Sequence, residues 1–278
     1  MCYIVFHSMI TREPIIFEPT RAFFRRIGQG FISAMFETGR ATMIALAAFA
    51  NLRYAFTARA RREITVQMYS GGIKSLGVVS IVALFIGMIM AVQLGTELRR
   101  WNQEELIGPA VMLTMLREMG PFMTGLILAA CVGSAMAAQL GTMTINEEIA
   151  ALEIMSIDPV RFLVMPRMVS MMILLPLLSF YTSILGVFGG GIVGNLQLSV
   201  PWRTYIQLSL DFASSKALFV GLFKAYIFGI LITTIACYEG FTCDRGAVGV
   251  GTATRRCVIS CFLLILVTGY FVTRMFYS

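Results

Sequence analysis

Long stretches without one charged side chain constrain this sequence more than anything else in it. Residues 75–96, 119–146, 168–202 and 257–273 contain no Asp, Glu, Lys or Arg, and 217–238 contains only Lys224. A helix needs about 20 predominantly apolar residues to cross a bilayer. Inside lipid every backbone N–H and C=O must find a partner within the protein, which leaves helices as the natural solution for such runs. Hydrophobic residues make up 58% of the 278, charged residues 13%, and the mean hydropathy is +0.80. Soluble domains carry about 25% charged residues. A soluble enzyme, a nucleic-acid-binding domain and a disordered chain are therefore excluded.

The runs predict an all-α integral membrane protein with about five transmembrane helices, near 75–96, 119–143, 168–188, 217–238 and 257–273. The 168–202 run is too long for one span and too short for a hairpin. It reads as one helix to about Phe188, then a loop through Gly189, Gly190 and Gly191. Residues 1–72 read as a cytoplasmic tail with an interfacial amphipathic helix, and 73–278 as the transmembrane domain. The interfacial helix is expected at Ala41–Leu52, too short to span and flanked by Arg21, Arg25, Arg26 and Arg40 before and Arg53, Arg59, Arg61 and Arg62 after. The opening residues lack a basic n-region, so no signal peptide is expected, and His7 stands alone there.

With the N-terminus in the cytoplasm, about 15 of the 22 basic residues fall on that side. The C-terminus is then external, and the net charge of +7 reads as membrane anchoring. Cys2, Cys131, Cys237, Cys243, Cys257 and Cys261 form no CxxC pair and read as small reduced hydrophobes. No P-loop, HExxH or GxSxG motif occurs. The Gly246, Gly249, Gly251 cluster, without a following Lys-Ser or Lys-Thr, reads as a turn between spans. No catalytic residue, metal ligand or bound cofactor is expected, and ATP chemistry would belong to another polypeptide.

Three constellations depart from the apolar background. Arg117, Glu118 and Pro121 place two charges beside a helix breaker. Charged residues in membrane segments are costly and face an interior or a cavity. Successive helix positions point about 100° apart, so each charge needs a partner of its own. Pro121 lacks an N–H and frees the carbonyl of residue 117. The competing reading is that this segment projects from the membrane with its charges solvated. Ala130, Ser134 and Ala138, and likewise Gly133, Ala137 and Gly141, form small-residue ladders that let helices approach closely, within or between subunits. Finally, residues 146–167 contain a short amphipathic helix with an apolar stripe of Ile149, Leu152, Ile154 and Met155, ended by Pro159. Its acidic residues suit a protein partner better than anionic lipid.

Three blocks carry a resemblance to a known family: Arg117-Glu118-Met119-Gly120-Pro121, then Val132 to Met143, then Glu147 to Arg161. With Gly221 to Lys224, Cys237 to Phe241 and Gly246 to Arg256, they resemble the MlaE/YrbE-type permeases, in order over residues 20–276. The resemblance implies the permease subunit of an ABC transporter in a bacterial inner membrane. Such a subunit moves phospholipid or another hydrophobic molecule, works as a homodimer with separate ATPase subunits, and has an MCE-domain partner outside. By the same resemblance Leu98, Trp101, Arg117 and Glu118 would line the substrate cavity, and the Pro121 kink and the intramembrane Lys224 are expected there with them. Glu147, Glu148, Ala151, Leu152, Met155, Asp158, Pro159 and Arg161 would form the ATPase-coupling helix. Cys131 and Gln139 depart from the family pattern, which often has Arg and Glu there. The alternative function is an ion-coupled secondary transporter using Arg117, Glu118 and Lys224. Against it, no inverted repeat is visible and five spans do not divide into equal halves.

Overall fold

The computed structural model describes residues 35–277, and these are all-helical. The chain divides into two units, 1–43 and 44–278; of the first, only 35–43 are described, and they are helical. Numbering the helices in order, α1 covers 35–50, α2 Ala58–Arg100, α3 Glu104–Ile145 and α4 Glu148–Ile154. They are followed by α5 Val160–Leu198, α6 Trp202–Asp211, α7 Ser215–Phe241 and α8 Ala247–Tyr277. The five long ones, α2, α3, α5, α7 and α8, are long and apolar enough to cross a membrane, so this is a multi-pass membrane protein. The expected basic flank Arg21, Arg25 and Arg26, with Cys2 and His7, lies outside the described residues.

The helices extend well past the charge-free runs. Residues 106–116 and 119–145, separated in sequence by Arg117 and Glu118, belong to one 42-residue helix, α3. At 1.5 Å per residue it reaches roughly 60 Å, against a hydrocarbon core of about 30 Å. Two π-helical turns, Met115–Met119 and Ala129–Gly133, interrupt its regular pattern. Such turns insert one residue and often mark functional positions.

The loop expected at Gly189–Gly191 is helical. Helix α5 continues to Leu198, and all three glycines are buried. The reason is packing rather than propensity. On α2, Ser75, Val79, Ala83, Gly87, Ala91 and Gly95 recur every four residues and are all buried. They form one face without bulk, against which α5 lays Gly186 and Gly189. A Cβ on Gly87 would strike the carbonyl oxygen of Gly186, and one on Gly189 would strike that of Leu84. Backbone here touches backbone, so glycine is required despite its low helix propensity. Gly191 leaves room for Trp202, whose ring stacks on Tyr205 at 6.1 Å. The Tyr205 hydroxyl donates to the Val187 carbonyl at 3.0 Å, which seats the amphipathic α6, an element unanticipated in the sequence. Burial pushes the Tyr205 phenol above the ordinary tyrosine range, so it remains a neutral donor.

The two small-residue ladders of α3 separate. Gly133, Ala137 and Gly141 are buried within the chain, where Gly133 faces Ile232 and Gly141 faces Cys243 and Val250. Ala130 lies exposed and Ser134 and Ala138 half-exposed beside the exposed Cys131, Ala135 and Gln139. Of the expected glycine turn, only Gly246 is one, at φ +92°; Gly249 and Gly251 fall inside α8.

Gly87→Leu is expected to lower unfolding stability in detergent by about 1–3 kcal/mol or more, through overpacking. Gly77→Leu, one helical face away where a Cβ meets nothing within 4 Å, serves as the control and should leave the thermal midpoint unchanged.

Candidate functional site: a charged cluster joining three spans

The π-turn Met115–Met119 rotates α3 so that Arg117 and Glu118 meet two other helices. It ends at Gly120, whose N–H bonds to the Met115 carbonyl. Gly120 and Pro121 are buried, and Ser183 of α5 donates to the same Met115 oxygen at 3.2 Å. Pro121 cannot donate to the Arg117 carbonyl. Lys224 of α7 does so instead, at 3.1 Å. Close approach allows it: a Cβ on Gly221, one turn before Lys224, would collide with the Leu116 carbonyl.

Lys224 is 1% exposed, and its remaining donors reach Glu118 Oε1 and Thr273 Oγ1, each at 2.6 Å. Thr273, on α8, lies 2.9 Å from the same carboxylate oxygen. An ammonium has three donors, and here all three are used. A buried charge is tolerated only when paired and hydrogen-bonded. Glu118, with 39% of its side chain exposed, is the acid paired with this buried lysine.

Arg117 takes a different partner. Its guanidinium lies 3.7 Å from the centre of the Tyr277 ring, which Lys216 also approaches at 5.1 Å. The Arg117 Nε and the Tyr277 hydroxyl are buried without a hydrogen-bond partner. Glu118 against Arg117 and Lys224 leaves these three with one net positive charge, and Lys216 adds another nearby. On the same helices, α7 and α8, Phe219, Phe223 and Phe276 pack with centroids 5.7–6.5 Å apart. Thr273, Tyr277 and this aromatic group escape sequence reasoning, because nothing in the chain order ties the end of α8 to Lys224. The structure does not bring every expected residue together. Leu98 packs in a separate cluster with Val111 and Tyr205, and Trp101 is 77% exposed at the α2–α3 corner.

At the opposite end of the bundle lies α4. It begins at Glu147 (φ 60°) and is closed by Ser156 (φ 59°), two left-handed residues that make it a compact corner. The Ile157 N–H bonds to Leu152 O at 2.9 Å. Ile149 and Leu152 pack inward against the cluster around Leu140 and Met168, while Ile154 is 85% and Met155 67% exposed. The expected stripe is thus divided. Glu148, Ala151 and Arg161 are exposed with Asp158, whose Oδ1 accepts from the Val160 N–H at 2.9 Å. Pro159 does not end α4; the helix stops at Ile154, and Pro159 leads into α5. Thr144 ties this end together by donating to the Gly240 carbonyl of α7 at 3.0 Å.

The sequence model of the family described as Permease MlaE matches residues 64–275, which takes in most of α2 and all of α3 to α7. The chain belongs to the MlaE permease family. It is 37% identical over 207 residues to a probable ABC transporter permease protein of Rickettsia prowazekii, covering 74% of this chain and 80% of that one. It is 32% identical over 213 residues to the intermembrane phospholipid transport system permease protein MlaE of Haemophilus influenzae, covering 76% and 82%. A probable ABC transporter permease protein of Synechocystis is 30% identical over 250 residues, covering 90% and 92%. As an MlaE permease the chain is a transport subunit rather than an enzyme. Among the described residues no group of His, Cys, Asp and Glu is placed to hold a metal ion.

Glu118→Ala strands Lys224 in the interior and should cost about 3–5 kcal/mol of unfolding free energy. In a double-mutant cycle with Lys224→Met, the pair should couple by at least about 1 kcal/mol, measured by denaturant unfolding in micelles.

Proposed function

We propose that this permease moves phospholipid or another hydrophobic molecule between the inner membrane and an MCE-domain protein, driven by separate ATPase subunits that bind the ATP. The observation that carries this reading is the Arg117–Glu118–Lys224 cluster: one net positive charge, unspent N–H capacity on Arg117, and aromatic rings on α7 and α8. A phosphodiester headgroup supplies one negative charge and strong acceptors, and acyl chains suit those rings. The names of the Haemophilus and Rickettsia relatives agree with it.

In this reading residues 1–72 lie on the cytoplasmic side and 73–278 form the transmembrane domain, with the C-terminus external. Helix α4 then faces the cytoplasm. Its exposed Ile154 and Met155, with Glu147, Glu148, Ala151, Asp158 and Arg161 around them, seat an ATPase subunit. The outward ladder Ala130, Ser134 and Ala138, with Cys131 and Gln139, meets a second copy of the chain, since small residues let helices pack closely in lipid. Leu98 and Trp101 line the cavity completed by that copy, and Pro121 shapes it. Closure of the ATPase pair pushes on α4, and α3, which leads into α4, delivers the motion to the charged cluster.

The test is reconstitution with the ATPase subunits in vesicles and measurement of fluorescent phospholipid transfer. Arg117→Ala should lower ATP-dependent transfer about tenfold, the loss of one charge-assisted contact, while the unfolding midpoint stays near wild type. Unchanged transfer in that variant overturns the assignment. Transfer that follows an ion gradient without ATPase subunits would favour the ion-coupled alternative. Met155→Glu should reduce recovery of the ATPase on co-purification.

A further inference from the structure

A cavity lies at the α4 end, far along the spans from the Lys224 cluster. It encloses about 480 Å³ between the start of α2 and the α4–α5 connection. Three arginines line it: Arg59, Arg161 and Arg167. Arg161 lies over the Tyr54 ring at 3.4 Å and Arg59 over Phe162 at 4.5 Å. Stacking engages the face of a guanidinium and leaves its edge donors free. Arg167 is 7% exposed; one terminal nitrogen donates to Leu163 O at 3.2 Å, and its Nε has no partner.

Two carboxylates share the lining, and both hold other groups. Glu63 accepts from the Gln67 side chain at 3.1 Å, and Asp158 from the Val160 N–H. Neither forms an ion pair with any of the three arginines among the described residues. The cavity lining therefore carries one net positive charge, and Arg167, one of its lining residues, has a buried Nε without a partner. A buried unsatisfied donor is costly, and a guanidinium fork matches phosphate oxygens in geometry.

We infer that this cavity is a binding site for a phosphate-bearing ligand, the headgroup of an anionic phospholipid in the leaflet on the α4 side. Its place supports a lipid: Arg59 lies at the start of α2 and Arg167 about 10 Å along α5 from Val160, near the same ends of two helices long and apolar enough to span a membrane. Its volume falls within the roughly 300–1,000 Å³ of small-molecule sites, more than a bare phosphate needs. Bound there, the phosphate links the first span to the connection that follows α4, so lipid occupancy fixes the position of α4. The site shares Asp158 and Arg161 with the ATPase-seating face of the transport reading, while Arg59 and Arg167 belong to it alone.

Thermal unfolding of the purified full chain, titrated with dihexanoyl phosphatidylglycerol or with inorganic phosphate, tests it. Phosphatidylglycerol should raise the midpoint saturably. Arg167→Met and Arg161→Gln should each weaken the apparent affinity about tenfold, and the exposed Arg245→Gln should leave it unchanged. If inorganic phosphate acts equally at the same concentration, the phosphate site stands and its source is free phosphate. Should Arg167→Met not fold, the exposed Arg161→Gln decides. No saturable shift, or equal shifts in all variants, overturns the inference. So does the absence of any shift combined with loss of ATPase co-purification in Arg167→Met, which would assign the arginines to a protein partner's carboxylates.

Discussion

A lysine buried to 1% exposure needs an oxygen partner for each of its donors. That requirement at Lys224 dictates much of one end of the molecule. The first oxygen is a backbone carbonyl that Pro121 leaves open, the second a carboxylate on the same π-turn, the third a hydroxyl from the last helix. Three spans far apart in sequence must converge to within hydrogen-bonding distance of one nitrogen. Gly221 makes this possible by removing the side chain that would hold α7 away from α3. The π-turn supplies the extra residue that brings Glu118 and the Arg117 carbonyl to the same side.

The remainder of the core follows another rule. In lipid, apolar side chains gain little by leaving the solvent, so helices associate through close packing and occasional polar links. Helices α2 and α5 show the first, with a face of small residues on each. The polar links are few: Thr124 donates to Thr182 at 2.8 Å, and Ser80 meets Tyr181 at 2.8 Å. Charge links α3, α7 and α8 where they meet, while the longest glycine-lined contact joins α2 and α5.

Much of this was legible in the sequence, and the failures have physical causes. The five spans stood out because charge is so costly in lipid that its absence marks them. The isolated charges Arg117, Glu118 and Lys224 were visible for the same reason, as was the open carbonyl beside Pro121. Their mutual partnership was not, since it depends on three-dimensional convergence. Gly189–Gly191 suggested a loop because glycine is a poor helix former, yet in a tightly packed membrane helix the absence of a side chain is what matters. The matching four-residue period on α2, Ser75 to Gly95, was present but masked by the larger residues between. Pro159 was read as a helix stop, whereas proline equally begins one. Thr273 and Tyr277 carried no local signal at all.

The contact of α2 with α5 has a mechanical consequence. Where a glycine carbonyl sits against a neighbouring glycine, there is no side chain whose rotamer can change to accommodate sliding. Any shear between these two helices must break the fit at Gly87, Gly186 and Gly189 together. They behave as a single stiff beam. A hydrogen-bonded joint such as that around Lys224 can instead exchange one oxygen for another and keep its proton count. Compliance in this molecule therefore resides in its charged joint, and rigidity in its glycines.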